Sequence, residues 1–105
     1  MPPRLRSFEF ESPIYAGEVV QVTCHVSKGD GPLNIYWRFE NGSSNGDFNV
    51  TTFGDGRTSS LSIVSAGPKH SGNYTCFAEN TAGLNSHTAQ LNVIGSLTTT
   101  YLRTL

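Results

Sequence analysis

The chain has 105 residues, a formal charge of −1, 36% hydrophobic residues and only 14% charged ones. That is one domain's worth of chain. With six Phe, four Tyr and one Trp it is too aromatic for disorder, and it shows none of the basic patches that phosphate-binding proteins carry, which argues against nucleic acid. No apolar run reaches membrane-span length and no signal peptide precedes Pro2. Met1 directly before Pro2-Pro3 reads as a start placed on an excised domain.

Strand signals recur along the chain with turn residues between them. Leu5, Phe8 and Phe10 alternate weakly among prolines, the pattern of an edge strand. Val20, Val22, Cys24 and Val26 alternate with Gln21, Thr23 and His25, a half-buried strand of period two. Lys28-Gly29-Asp30-Gly31-Pro32 ends it, and Ile35, Trp37 and Phe39 alternate with Asn34, Tyr36 and Arg38 in the next strand. Asn41 to Asp47, rich in Gly, Asn and Ser, reads as a surface loop.

Phe48 to Phe53 predicts a short strand closed by Gly54-Asp55-Gly56, and Leu61 and Ile63 mark another, with Ser60, Ser62 and Val64 on its other face. Tyr74, Cys76 and Ala78 alternate with Thr75, Phe77 and Glu79; Asn80-Thr81-Ala82-Gly83 is a turn, and Ala89, Leu91 and Val93 close the series. Apolar residues nowhere recur at helical spacing. The chain is therefore all-β, with two antiparallel sheets packed face to face over residues 1–94. Residues 95–105 lack alternation and read as a tail, linker or cloning remnant.

The residues offer little chemistry. Gly42-Ser43-Ser44-Asn45-Gly46 matches the Gly-x-Ser-x-Gly nucleophile elbow letter for letter, but lacks the strand before it and the helix after it. His25, His70 and His87 have no metal-ligand or carboxylate spacing, so surface or capping roles are expected of them. No enzyme, metal or cofactor is expected. Asn41, Asn49 and Asn73 each open an Asn-x-Ser/Thr sequon, with Asn41 in the most exposed segment. Two cysteines 52 positions apart, Cys24 and Cys76, make either one long-loop disulfide or two buried thiols.

Cys24, Trp37, Leu61 and the Tyr74-x-Cys76 pair resemble the immunoglobulin signature. The resemblance implies a β-sandwich with a Cys24–Cys76 bridge between the sheets, Trp37 packed on it, and the Tyr74 hydroxyl turned back to cap backbone. The segment Glu79–Gly83 resembles the turn of intermediate-set (I-set) domains. In that set an acid of the Asp-x-Gly-x-Tyr-x-Cys run pairs with an arginine; here the run begins at His70, which leaves Arg57 without a carboxylate. Pro2–Leu5, Val26–Trp37 and Lys69–Cys76 together resemble the Down syndrome cell adhesion molecule family, above all the variable immunoglobulin domains of its arthropod members and their short chelicerate relatives.

Parity turns Gln21, Thr23, His25, Thr51, Phe53, Ser60, Ser62 and Val64 outward on one sheet, a small, polar and charge-poor face. The resemblance implies homophilic, antiparallel pairing through such a face, in the extracellular part of a membrane-anchored receptor with neighbouring immunoglobulin domains. The opposite face carries Tyr36, Arg38, Thr75, Phe77, Glu79 and Gln90, with Tyr36 and Phe77 as a second candidate contact. The rival expectations are a structural spacer that does not self-associate, and a heterophilic binder using Lys28–Pro32 and Asn80–Leu84.

Overall fold

The structure, a computed structural model, describes residues 1–11, 13–40 and 48–95; the Asn41 sequon, the Gly42–Gly46 motif and most of the 95–105 tail lie outside the described residues. Among the described residues nine strands follow in chain order: β1 (Arg4–Leu5), β2 (Ile14–Tyr15), β3 (Val20–Lys28), β4 (Asn34–Glu40), β5 (Asn49–Phe53), β6 (Thr58–Ile63), β7 (Gly72–Asn80), β8 (Gly83–Leu91) and β9 (Val93–Ile94). They form a β1-β3-β6-β5 sheet and a β4-β7-β8 sheet, with β2 paired parallel to β9.

Alternation explains these elements. On β3, Val20, Val22, Cys24 and Val26 are buried while Gln21 and Thr23 face solvent. Leu61 and Ile63 of β6 lie on the same inner face, opposite Tyr74, Cys76 and Ala78 of β7 and Ala89 and Leu91 of β8. The Cys24–Cys76 disulfide ties β3 to β7 across this core, its Cα atoms 6.5 Å apart. Trp37 faces Cys76 in the β4–β7 register, and its indole N–H donates to Ser59 Oγ at 2.8 Å.

Three features depart from the sequence pattern. The N-terminal segment is not one edge strand: Arg4–Leu5 pairs with β3, and Ile14–Tyr15 crosses to pair with Val93–Ile94. Phe8 and Phe10 turn inward on the way, Phe8 against Trp37 and Phe10 against Tyr74, so burial of two aromatics drives the crossing. Pro68–His70 forms one 3-10 turn. Arg57 does not sit near the corner before β7 at all; it leaves the Gly54–Gly56 turn at the other end of β6 and donates to Gly29 O at 2.6 Å.

That corner is closed by Tyr74, whose hydroxyl donates to His70 O at 2.7 Å. His70 is a buried capping residue whose Nδ1 accepts from the Gly67 amide at 2.9 Å. Phe10, Phe39 and Phe48 pack round the Tyr74 ring, and this burial raises the Tyr74 phenol well above the ordinary tyrosine range. The folded state thus holds the proton more tightly than the unfolded chain. Its contribution to stability is full below the ordinary tyrosine pKa of about 10 and falls as pH rises beyond it. Tyr74→Phe is expected to cost roughly 1–2 kcal/mol at pH 8, because the His70 carbonyl loses its donor. Above about pH 10 its stability should fall less steeply than that of the parent. Urea titrations at the two pH values check both parts; parallel pH profiles would refute the second.

Candidate functional site

The outer face of the β3–β6–β5 layer is a grid of three rows set by strand register. Gln21, Ser62 and Asn49 form one row, Thr23, Ser60 and Thr51 the middle row, and His25, Thr58 and Phe53 the third. Cross-strand bonds knit it: Gln21 Nε2 donates to Ser60 Oγ at 3.1 Å, and His25 Nδ1 lies 3.0 Å from Thr58 Oγ1. No Asp, Glu, Lys or Arg stands among the nine. Such a face offers hydrogen-bond donors and acceptors and one exposed aromatic, Phe53.

Of the residues expected on this face, register aligns Gln21, Thr23, His25, Thr51, Phe53, Ser60 and Ser62. Two of the expectations need correction. Ser60 points outward but is 9% exposed, because Gln21 and the flanking strands cover it. Val64 is exposed but lies past the last residue of β6, outside the register. Thr58 and Asn49 belong to the grid and were missed, although parity with Ser60 and Thr51 marks both. Asn49 is exposed here, so a glycan on its sequon would stand in the outer row.

The opposite face is organised by aromatics. Tyr36 and Phe77, in register on β4 and β7, stack with centroids 5.0 Å apart and planes within 10°. The Arg38 guanidinium lies 5.1 Å from the Phe77 centroid, a cation–π contact. Thr75 is nearly buried and bonds Thr88 at 2.8 Å, so it is structural, while Glu79, Gln90 and the sequon residue Asn73 are exposed.

One end of the sandwich gathers the two loops considered for heterophilic binding. Asn80 Nδ2 donates to Met1 O and to Asp30 O, and Asn80 Oδ1 accepts from the amides of Ala82 and Gly83. Gly29 presses against the first residues: a Cβ there would meet Pro3 Cα at 2.9 Å. His87 Nε2 lies 2.9 Å from Phe8 O, holding the N-terminal segment to β8. Among the described residues no three of His, Cys, Asp and Glu converge as metal ligands, and no helix is long and apolar enough to cross a membrane.

Two sheets locked by a Cys–Cys bridge with a tryptophan against it, and a tyrosine hydroxyl folded back on the preceding corner, define an immunoglobulin sandwich. The chain belongs to the immunoglobulin-domain family, whose model matches residues 11–89. It is 40% identical over 93 residues to the cell adhesion molecule DSCAML1 of Gallus gallus, a match covering 89% of this chain and 4% of that protein. The crystal structure of the Dscam1 Ig7 domain, isoform 5, superposes with TM-score 0.77 at 34% identity, covering 88% of this chain and 96% of that one. The I67–I69 I-band fragment of titin does so with TM-score 0.76 at 30% identity, over 90% and 33%. The chain thus spans a small fraction of the length of the curated relatives it matches.

Proposed function

We propose that this domain, an I-set module of the arthropod variable type, is the extracellular recognition part of a membrane-anchored cell-surface receptor. It binds an identical copy of itself, antiparallel, through the β3–β6–β5 face, next to other immunoglobulin domains of the same receptor. The observation that carries this reading is the uncharged three-by-three grid. A two-fold axis through the Thr23–Ser60–Thr51 row lays the Gln21 row of one copy over the His25 row of the other. Because a two-fold contact presents each residue to its own neighbourhood, a face without charge meets itself without repulsion. Ordinary solvated sheets carry more Lys and Glu than this. The similarity to Dscam-type adhesion domains supports the same reading. No chemistry is involved. A modest affinity per domain suffices, since clustering and other domains multiply it.

Sedimentation equilibrium of the chain over a wide concentration range is the test, with a reversible monomer–dimer equilibrium expected. Thr23→Arg brings two like charges together across the axis, a cost of several kcal/mol, and should weaken the dimer by about 100-fold or more. Ser62→Arg lays an unpaired charge over the His25–Thr58–Phe53 row of the other copy and should weaken it by about tenfold or more. A dimer unchanged by both substitutions would overturn this face in favour of Tyr36 and Phe77. A strict monomer into the high micromolar range would overturn self-recognition by the single domain. The reading also requires Asn49 to be free of glycan in the binding form, which mass spectrometry of the secreted protein checks.

A further inference from the structure

We propose that the groove along the β1 edge of the four-stranded sheet binds a sulfated glycosaminoglycan chain. The linear sequence has no basic run, yet folding brings Arg4, Arg6 and Lys28 together. Arg4 is in register with Lys28, and the Arg6 amide donates to His25 O at 3.0 Å, which keeps the segment against β3 beyond the end of β1. The resulting open groove, about 610 Å³, is lined by Arg4, Leu5, Arg6, Ser7, Ser27 and Lys28. The three cations are exposed, and no carboxylate lines the groove. Asp30, two residues from Lys28, does not line the groove. Among the described residues no carboxylate pairs with these three side chains.

In a chain with seven Lys and Arg and a net charge of −1, three cations without acidic neighbours make a local field opposed to the average one, and such a patch draws polyanions. The shape selects among them. Arg4 and Arg6 follow one another along the β1 edge, with Lys28 across from Arg4, so the groove offers a row of charges along an edge and not a cup around one anion. Arginine forks match planar pairs of oxyanion oxygens, and the Ser7 hydroxyl adds a neutral donor, while the Ser27 hydroxyl donates to Arg4 O and holds β1 in place. A linear chain with an oxyanion on successive sugars fits that row. The choice of an extracellular polysaccharide rests on the cell-surface placement proposed above. The groove flanks the grid without occupying it, so a bound chain leaves that face open for a second copy.

The experiment measures binding of the whole chain to immobilised heparin over about 50–300 mM NaCl. Arg4→Glu/Arg6→Glu is expected to weaken binding at least about tenfold and to cut the salt slope by about two. Lys28→Glu, on the opposite wall, should lower the slope by about one, and Arg38→Glu, on the other sheet, should stay within about twofold of the parent. Hyaluronan, which has carboxylates but no sulfates, should compete at least about tenfold less well than heparin. The proposal is overturned if the double variant, with an unchanged thermal midpoint, binds heparin like the parent, or if hyaluronan, polyglutamate or single-stranded DNA competes as well as heparin does. The sedimentation test above is independent of these readouts, so failure of one is distinguishable from failure of the other.

Discussion

Replacing Cys24 and Cys76 by alanine is expected to destabilise the domain by about 4 kcal/mol, the loop-closure entropy returned to the unfolded chain when a 52-residue separation is no longer bridged. Both sulfurs sit in fully buried residues at the centre of the core, so lost packing adds to the entropic effect. A domain of this size has only roughly 5–15 kcal/mol in hand. The thermal midpoint should therefore fall by about 15–30 °C. Calorimetry of the double variant checks this; a drop of only a few degrees would mean that the unfolded chain is compact without the bridge. Reduction of the parent protein under denaturing conditions should reach the same destabilised state. If the chain resides in a reducing compartment, both thiols should react with a thiol reagent on denaturation, which would sink the extracellular reading.

Trp37→Ala is expected to cost roughly 3–5 kcal/mol. The ring packs at 5.4 Å from Phe8 and faces Cys76, so truncation opens a cavity beside the disulfide. It also strips Ser59, which is fully buried, of the indole donor at 2.8 Å. The two effects can be separated. Trp37→Phe restores most of the volume without the N–H and should recover more than half of the loss, leaving about 1–2 kcal/mol for the orphaned serine hydroxyl. Ser59→Ala in the Trp37→Phe background should then be close to neutral, because both polar partners are gone. Chemical denaturation of the parent, Trp37→Phe, Ser59→Ala and the Trp37→Phe/Ser59→Ala double variant completes the cycle; strict additivity would show that the Trp37–Ser59 bond does not contribute.

The two sheet faces divide the outer surface into different kinds of contact. The β3–β6–β5 grid is polar, uncharged and held flat by its own cross-strand bonds. The β4–β7–β8 face concentrates Tyr36, Phe77 and Arg38 in one stacked cluster. At the β1 edge of the four-stranded sheet lies a groove that collects three Lys or Arg side chains. The self-pairing and the polyanion binding proposed above would use adjoining surfaces and need not compete.

The sandwich was legible in the chain because burial parity is a local property. Val20 to Val26 and Tyr74 to Ala78 alternate, and a strand with one buried face has no other stable register. Cys24, Trp37 and Tyr74-x-Cys76, through their resemblance to the immunoglobulin signature, implied the bridge between the sheets, the tryptophan against it and the folded-back tyrosine hydroxyl that the structure shows. Parity also ordered most of the polar grid, and its errors were instructive. Ser60 has the outward parity yet is covered, because exposure depends on what neighbouring strands place over a residue. Val64 keeps the parity but falls after the strand has ended.

Tertiary structure alone decided the rest. Ile14–Tyr15 joins Val93–Ile94 across nearly the whole chain length, and no local pattern encodes which distant edge a two-residue strand will choose. The aromatic ring around Tyr74 draws Phe10, Phe39 and Phe48 from three segments. Arg57 reaches Gly29 and not the corner held by His70, because turn geometry after β5 aims it at the far end of the sheet. The basic groove exists only once β1 lies antiparallel to the end of β3, setting Arg4 opposite Lys28. Alternation determines which side of a strand a residue faces; pairing between strands far apart in sequence determines what it meets there.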